Sequence, residues 1–270
     1  MNVNGLNLAV IDEGPRDGTP VVLLHGFPDR GSMWHNQIAA LADAGYRVLA
    51  PDQRGFGDSD APEGVEHYDN MHAMADLVAL LDELGIARAH VVGHDWGASV
   101  AWRIALFAPD RLLSLTAVSV GHPLAFVGAG LLQKQKSWYM LAFQHVGLAE
   151  ELVQHDNFAF LDSFGPGGET KQWVADLARP GRLTAALNWY RANVPPQVLL
   201  STATFELPPV TVRTMGVWSD GDEALTEEQM KNSANYVTDF RFERIDGISH
   251  WIPTAAPDQL NALLLDFLSK

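Results

Sequence analysis

The sequence contains no cysteine among its 270 residues. Disulfide bonds, a thiolate nucleophile and cysteine-ligated metal are therefore excluded. A chain without cysteine tolerates a reducing compartment, which fits a cytoplasmic location. We expect that location because the first residues show neither a basic leader nor an apolar run typical of a signal peptide.

Basic residues are also scarce, since 18 Lys and Arg stand against 33 Asp and Glu, for a formal net charge of -15 at pH 7. Such a chain repels phosphate backbones and anionic lipid, so we expect neither nucleic acid nor a membrane surface as a partner. No apolar run reaches the ~20 residues of a transmembrane helix, and repeats and low-complexity linkers are absent from the sequence. The remaining composition, 47% hydrophobic, is that of a globular protein with one large domain or two small ones.

Short apolar runs alternate with helical patterns along most of the chain. This alternation predicts an α/β fold with a mostly parallel, doubly wound sheet. The strand candidates include Leu6–Ile11, Val21–Leu24, Val48–Ala50, Ala89–Val92, Leu112–Val118, Val210–Val217 and Phe240–Ile245. The helical patterns cover Met33–Ala44, Met71–Leu84, Gly97–Ala108 and Pro257–Leu268.

One stretch, from about residue 122 to residue 209, breaks the alternation. It contains no good strand candidate and consists of short helical patterns separated at Gly165–Gly168 and Pro180–Gly181. We interpret residues 122–209 as a helical cap inserted after the sixth core strand, over the strand ends where open α/β sheets bind ligands. Residues 1–121 and 210–270 then form the core domain. The alternative is that the stretch is additional core helix.

The strongest local signal is Gly93–Gly97, which has the sequence Gly-His-Asp-Trp-Gly and joins a buried strand to a helix. A residue on such a sharp turn needs small neighbours two positions away on each side, and both glycines meet that need. Asp95 occupies the position where esterases with this pattern carry Ser. We therefore predict that Asp95 is a nucleophile at the start of a helix, where the helix dipole favours its carboxylate.

An early strand is followed by His25–Pro28, with the sequence His-Gly-Phe-Pro. Acyl chemistry at the turn needs two N–H donors for a developing oxyanion. We expect these donors to be the backbone N–H groups of Phe27 and Trp96. His25 is expected to order the loop rather than to transfer protons.

The base is predicted from chain order, because hydrolases of this kind run nucleophile, acid, histidine. His250 is the only histidine after His155, so it is the candidate base. Two carboxylates in the loop after a late strand compete as its partner. Asp222 is preferred because it lies deeper in the loop, and Asp220 is the alternative.

No cofactor or metal is expected. The glycine-rich segment Asp52–Ser59 lacks a following Gly-Lys-Ser/Thr and opens no helix, so it is neither a P-loop nor a dinucleotide site, and we assign it a structural role. His94 and His122 flank the expected pocket, but neither stands at metal-ligand spacing from another His or carboxylate.

Together these motifs resemble the epoxide hydrolases of the α/β-hydrolase fold, and the resemblance covers nearly the whole chain. The segments that carry it are His25–Pro28, Arg54–Ser59, Gly93–Gly97, Trp138–Gln144 and Asn188–Arg191. The resemblance implies that an apolar epoxide reacts with water to a vicinal diol through an aspartyl ester, without a cofactor.

The resemblance also implies roles for residues that the spacing alone does not identify. By this correspondence Tyr139 and Tyr190, in the two cap segments, are the acids that open the ring. It implies a cis peptide bond at Phe27–Pro28 as well. One departure is Ser249, which precedes His250 where relatives often carry Gly.

An apolar pocket is expected around the nucleophile, because large apolar and aromatic side chains occur in the motifs and in the cap. The expected substrate-binding residues are Trp34, His122, Met140, Phe143 and Trp189.

Two other functions compete with this interpretation. Haloalkane dehalogenases share the Asp nucleophile and the His base but hold halide with two N–H donors. Trp96 could supply one of these donors. Phe27 stands where such enzymes often have Asn, so the second donor would have to be Trp138 or Trp189. Fluoroacetate dehalogenases carry Arg in place of Trp96. A hydrolase-fold binding protein without turnover is the second alternative. A serine esterase is disfavoured by Asp95.

Overall fold

The computed structural model describes residues 1–200 and 206–270. Its strands are β1 (Asn2–Val3), β2 (Leu6–Asn7), β3 (Val10–Glu13), β4 (Pro20–Leu24), β5 (Arg47–Pro51), β6 (Ala89–His94), β7 (Leu112–Val118), β8 (Thr214–Gly221) and β9 (Phe240–Ser249). Its α-helices are α1 (His35–Asp43), α2 (Asn70–Glu83), α3 (Trp96–Phe107), α4 (Pro123–Val127), α5 (Leu131–Lys136), α6 (Trp138–Ala142), α7 (Leu148–Phe158), α8 (Thr170–Leu177), α9 (Arg182–Asn193), α10 (Pro196–Leu199), α11 (Glu227–Lys231), α12 (Ile252–Ala255) and α13 (Pro257–Leu268). Short 3-10 helices cover Gly31–Trp34, Val65–Tyr68, Pro109–Arg111, Ala159–Phe164 and Asn232–Asn235.

Seven strands form the main sheet, in the order β3-β5-β4-β6-β7-β8-β9. Strand β3 is antiparallel to β5, and every other neighbouring pair is parallel. Strands β1 and β2 form a separate antiparallel pair. This topology confirms the predicted mostly parallel α/β fold.

Both faces of the sheet are buried, because alternate side chains of each strand enter different cores. On β4, Val22 and Leu24 join a core that includes residues of α2, α3 and the helices after β7. Val21 and Leu23 join a second core that includes residues of α1 and α13. The sheet is therefore covered by helices on both sides, as the doubly wound prediction requires.

The helical segment, which we define as residues 123–199, contains helices α4–α10 and lies between β7 and β8. The described part of residues 122–209 holds no strand, and residues 201–205 of that predicted range lie outside the described residues. The segment follows the fifth strand of the main sheet, so the predicted insertion after a sixth core strand is wrong. At the start of the chain the predicted run Leu6–Ile11 divides, since Leu6–Asn7 pairs with Asn2–Val3 and Val10–Glu13 joins the main sheet.

The late strand also begins later than its apolar pattern predicts. Val210 follows Pro208 and Pro209, which cannot donate ladder hydrogen bonds, and it makes only an isolated bridge to Val237. The strand itself starts at Thr214 and continues to Gly221.

Parallel strands end at the same edge of a sheet, and this edge collects the predicted site residues. The carboxyl ends of β4, β6, β8 and β9 lead into the loops that carry Phe27, Asp95, Asp222 and His250. In the part of the chain that the structure describes, no helix has the length and apolarity needed to cross a bilayer.

Candidate active site

Asp95 lies on a strained turn between β6 and α3. Its backbone has φ 53° and ψ -121°, a conformation that residues other than glycine rarely adopt. A Cβ on Gly97 would stand 2.0 Å from the carbonyl oxygen of Leu24, and one on Gly93 would stand 2.3 Å from that of Gly97. Because backbone atoms cannot move aside easily, only glycine fits at these two positions, as the turn motif predicts.

The Asp95 carboxylate is held from two sides. Its Oδ1 accepts a hydrogen bond from the Phe27 N–H at 2.8 Å, and its Oδ2 lies 3.7 Å from Nε2 of His250. A Cβ on Gly26 would stand 2.2 Å from Oδ1, so glycine is needed for this approach. Burial raises the pKa of the Asp95 carboxyl, but His250, His94 and the Phe27 N–H outweigh burial, and the pKa falls below its ordinary value.

His250 is oriented by Asp222 and not by Asp220. The Nδ1 of His250 lies 2.9 Å from Oδ2 of Asp222, whose Oδ1 accepts the N–H groups of Ala224 and Leu225 at 2.8 Å each. Asp220 is half-exposed and pairs with Arg244 at 3.1 Å. The geometry thus distinguishes the two carboxylates that the sequence left open.

The protonated form of His250 is favoured by its surroundings. Burial lowers the pKa of its imidazole, but the neighbouring carboxylates of Asp222 and Asp95 outweigh burial and raise the pKa to about 10. At neutral pH with Asp95 ionised, His250 is therefore an imidazolium between two carboxylates.

The loop after β4 presents one backbone donor, the Phe27 N–H, to Asp95. The Phe27–Pro28 peptide bond is cis, as the resemblance implies. The N–H of Trp96, the first residue of α3, has no hydrogen-bond acceptor among the described residues. His25 accepts the Gln53 N–H at 2.9 Å, which agrees with its expected role in ordering the loop.

Tyr139 and Tyr190 are buried against each other, and Tyr190 packs on the rings of Phe27 and Trp96 next to Asp95. Their ring centroids are 5.9 Å apart, and the Tyr190 ring lies 5.0 Å from that of Trp96 and 5.4 Å from that of Phe27. Neither phenol donates a hydrogen bond to a described residue. Burial, followed by the charge of Asp95, raises the pKa of both phenols well above the ordinary value, so both stay protonated.

A cavity of about 110 Å³ opens beside Asp95. Its lining is mostly apolar and combines the turn and α3 with residues of α4, α6 and α9. The lining includes Asn70, Asp95, Trp96, Ser99, Arg103, Met140, Tyr190 and Asn193. Of the five predicted substrate-binding residues, Met140 lines this cavity.

The other four predicted substrate contacts need correction. Trp34 packs in the second core, on the face of the sheet covered by α1 and α13. The His122 ring stacks on Tyr236 at 4.7 Å and caps α4, so it is turned away from the cavity. Phe143 and Trp189 are fully buried and pack against Tyr190 and Trp96 respectively, so they support the cavity wall and do not line it.

Sequence reasoning missed the polar side chains at the cavity. Ser99 and Arg103 follow Asp95 at intervals of four residues on α3, and this helical spacing was the signal that could have found them. Asn70 starts α2 and Asn193 ends α9, and no local pattern brings them together.

Two buried titratable groups near the site also carry no local signature. Oδ1 of Asp29 accepts the indole N–H of Trp173 at 2.6 Å, and burial raises the pKa of this carboxyl to about 8. Nε2 of His94 lies 2.9 Å from the carbonyl oxygen of His250, and burial lowers the pKa of His94 to about 3. His94 is therefore neutral and is a neighbour that orients the His250 backbone.

The segment Asp52–Ser59 has the structural role that the sequence suggests. Oδ1 of Asp52 accepts the Gly31 N–H at 2.7 Å and its Oδ2 accepts the Asp58 N–H at 2.8 Å. These bonds fix the loop after β5 against the loop after β4.

Comparison with known proteins identifies relatives over the full length. A family model described as the alpha/beta hydrolase fold matches residues 19–144. The AB hydrolase superfamily protein YfhM of Bacillus subtilis is 35% identical, covering 100% of this chain and 97% of that protein. Epoxide hydrolase A of Mycobacterium tuberculosis is 33% identical, covering 100% and 96%.

Solved structures give the same result. A structure described as a novel epoxide hydrolase from metagenomes of hot environments superposes with a TM-score of 0.89 at 30% identity, covering 98% of this chain and 95% of that one. Epoxide Hydrolase A from Mycobacterium thermoresistibile superposes with a TM-score of 0.83 at 30% identity, covering 100% and 97%.

Proposed function

Because this chain belongs to the epoxide hydrolases of the α/β-hydrolase fold, we propose that it converts an apolar epoxide and water to a vicinal diol through an ester on Asp95. The observation that carries this proposal is the packing of the buried Tyr190 ring against Phe27 and Trp96, which flank the Asp95 carboxylate, with the buried Tyr139 ring 5.9 Å from that of Tyr190. An acid pair facing a nucleophile is what the opening of a strained ether requires.

In the first step, Oδ2 of Asp95 attacks an epoxide carbon and the carbon–oxygen bond of the ring breaks. The carboxylate needs no base, because its lowered pKa keeps it ionised at neutral pH. The leaving oxygen is an alkoxide, a much stronger base than phenolate, so it takes a proton from Tyr139 or Tyr190. The second phenol then donates a hydrogen bond to the phenolate that remains.

Esterification also changes His250. Once Asp95 is an ester, one of the two carboxylates that raise the pKa of His250 has lost its charge, so this pKa falls. The imidazolium proton passes through solvent to the phenolate and restores the neutral tyrosine. His250 becomes a neutral base only when there is an ester to hydrolyse.

In the second step, His250 takes a proton from water, and the water oxygen attacks Cγ of Asp95. The oxyanion on Oδ1 is held by the Phe27 N–H, which already bonds that atom at 2.8 Å, and by the free Trp96 N–H. Collapse breaks the ester bond, releases the diol with a proton from the new carboxyl group, and restores Asp95 and the imidazolium. The reaction needs no cofactor.

We assign the two phenols to a cap over a core. In this division, residues 1–121 and 210–270 form the core that carries Asp95, Asp222 and His250, and residues 122–209 form the cap that carries Tyr139 and Tyr190. The cap closes the cavity and excludes water from the first step.

The dehalogenase alternative lacks a second halide donor among the residues considered for it. The Trp189 indole N–H donates to the Arg54 carbonyl oxygen at 3.1 Å, and the Trp138 side chain is 54% exposed. Of these three tryptophans, Trp96 is the one whose indole N–H is buried without a partner among the described residues. A binding protein without turnover is disfavoured because the chain from Asp222 through His250 to Asp95 is complete.

The test is a parallel assay of an epoxide panel for diol and a chloroalkane panel for halide, with Asp95→Asn as the control. We expect diol from hydrophobic epoxides, no halide, and no product with the variant. Halide release without diol would establish the dehalogenase instead, and tight binding without either product would establish a binding protein.

A further inference from the structure

The cavity contains a cation without a counterion. Arg103 lies on α3, is half-buried, and lines the same cavity as Asp95. Its guanidinium makes no ion pair and donates no hydrogen bond within the described residues, and residues 201–205 include no acidic side chain. In a protein with 33 acidic residues, an unpaired arginine in a cavity is unexpected.

A second polar group in the same cavity is also unsatisfied. Oδ1 of Asn70 is buried and has no hydrogen-bond partner among the described residues, while Nδ2 of Asn70 donates to Oγ of Ser99 at 2.9 Å. The Ser99 hydroxyl donates to none of the described residues. Rotating the Asn70 amide by half a turn lets it accept the Ser99 hydroxyl proton and leaves its N–H as the unpaired group.

The surroundings of Arg103 do not neutralise its charge. Burial lowers the pKa of Arg103, and no carboxylate opposes this shift. The titratable group that responds to Arg103 is His122, whose pKa is lowered to about 4 by burial first and by the Arg103 charge second, so it is neutral. A desolvated cation and a desolvated amide without partners destabilise the empty site, and an anionic group on a ligand would relieve both.

We propose that Arg103, with Asn70 and Ser99, binds a carboxylate at the far end of the substrate, so that the substrate class is an epoxide on an apolar chain with a carboxylate terminus. This inference rests on the proposed epoxide hydrolase function. The guanidinium supplies charge-assisted hydrogen bonds, and the mostly apolar wall between it and Asp95 accommodates the chain.

The spacing and charges define one orientation of such a substrate. Asp95 immediately precedes α3, and Arg103 lies eight residues further along that helix, so its Cα lies roughly 12 Å along the helix axis. A carboxylate is repelled by Asp95 and attracted by Arg103, which directs the epoxide end to the nucleophile. The net charge of -15 does not prevent this, because charges beyond about 8 Å are screened at physiological salt.

The test compares ω-epoxyundecanoate with its methyl ester, which keeps the chain and removes the charge. For the wild-type enzyme we expect kcat/KM to favour the carboxylate by about tenfold or more, in line with one charged hydrogen-bonding pair. Arg103→Gln should reduce this ratio to about one, and Arg103→Lys should restore part of it. Arg16→Gln, the same charge change on an exposed side chain, should leave the ratio as in wild type.

Binding of undecanoate, which has no epoxide, separates this inference from the proposed function. We expect calorimetry to show about tenfold weaker binding to Arg103→Gln than to wild type, with unchanged thermal unfolding. Equal ratios for wild type and Arg103→Gln, or equal undecanoate binding, would overturn the carboxylate site even if both epoxides are hydrolysed. Failure to hydrolyse either epoxide, with undecanoate binding still dependent on Arg103, would overturn the proposed function and leave the carboxylate site standing.

Discussion

At the scale of single residues, the proposed chemistry depends on the charge that Asp95 and His250 share. Two carboxylates raise the pKa of the His250 imidazole to about 10, and one of them is Asp95, the proposed nucleophile. In the proposed mechanism the nucleophile is ready before substrate binds, whereas the base is released only after the nucleophile has reacted. This order follows from proximity alone and requires no movement of the chain.

Replacing the base should separate the two steps. In His250→Gln the carboxylate can still attack, but nothing takes a proton from water, so hydrolysis of the ester should slow at least 100-fold. The measurement is intact-protein mass after mixing with epoxide, which should increase by the mass of one epoxide. Asp95→Asn is the control and should show no adduct; normal turnover by His250→Gln would refute the base assignment.

Removing the phenol hydroxyls should affect the ring-opening step. We expect Tyr139→Phe and Tyr190→Phe each to lower kcat/KM by about 10–100-fold and the double variant by about 1000-fold or more, since the proposed mechanism assigns the protonation of the alkoxide to these two phenols. Tyr236→Phe is the matched control, because that ring stacks on His122 outside the cavity, and it should keep wild-type activity. Full activity of the double variant would show that the protons come from elsewhere.

At the scale of elements, the strand–turn–helix unit β6–α3 sets the position of Asp95. Its turn brings the backbone of the helix against the end of β4, and the approach leaves no room for a side chain at residue 97. The close packing of β4, β6 and α3 therefore depends on the absence of a Cβ at residue 97.

We therefore expect Gly97→Ala to lower the free energy of unfolding by about 1–3 kcal/mol, because the new Cβ would overlap the Leu24 carbonyl. Equilibrium unfolding in urea measures this change. Gly130→Ala is the control, since its Cβ would meet only the mobile end of the Glu228 side chain at 3.3 Å, and its cost should be small. Equal stability of the two variants would contradict the packing argument.

The elements were predictable to different extents. An apolar run bounded by polar residues predicted a strand at its observed position, as for Leu112–Val118. The helical spacing of leucines in the last helix predicted both of its ends, at Pro257 and Leu268. The apolar pattern did not distinguish Leu6–Asn7 and Val210, which pair outside the main sheet, from the main-sheet strands that follow them, Val10–Glu13 and Thr214–Gly221. Hydrophobic pattern identifies burial, but strand pairing decides which sheet a segment joins.

At the scale of the whole molecule, the helical segment and the sheet are joined close to the site. The indole of Trp173 on α8 bonds the carboxyl of Asp29 in the loop after β4, and Arg179 pairs with Asp58 at 3.1 Å. The Asp29 carboxyl is buried at this junction, and burial raises its pKa to about 8.

This raised pKa predicts how stability varies with pH. The folded protein keeps the Asp29 proton up to about pH 8, whereas the unfolded chain loses it near pH 3.8. The stability that the buried, protonated Asp29 carboxyl contributes is therefore fully present below pH 3.8 and is lost as the pH rises to about 8. Asp29→Asn keeps an acceptor for Trp173 and cannot ionise. We expect the free energy of unfolding of Asp29→Asn, relative to that of wild type, to rise by a few kcal/mol between pH 3.8 and about pH 8. Each unit of pKa difference corresponds to about 1.4 kcal/mol before the structure relaxes.

Urea unfolding at the acid and alkaline ends of the window measures the effect. The exposed Asp43→Asn is the control and should not change the slope. A constant difference between Asp29→Asn and wild type at both ends would mean that Asp29 is ionised throughout.

The candidate site was predictable where one motif holds its residues and unpredictable where distant elements meet. Asp95, Phe27 and His250 each follow a strand, and chain order brought them to one sheet edge. The substrate contacts predicted for Trp34 and His122 were wrong, because the sequence alone does not show which way an aromatic side chain near a motif points. The cavity was equally hidden, because Asn70 and Arg103 come from two helices whose packing only the fold specifies.

The most direct test of the account is a single turnover in heavy-oxygen water with enzyme in excess over epoxide. If the water oxygen attacks Cγ of Asp95, the first diol carries only light oxygen, and the label appears in the peptide that contains residue 95. Label in the first-formed diol with none in the protein would show that water attacks the epoxide directly, and the covalent mechanism would be wrong.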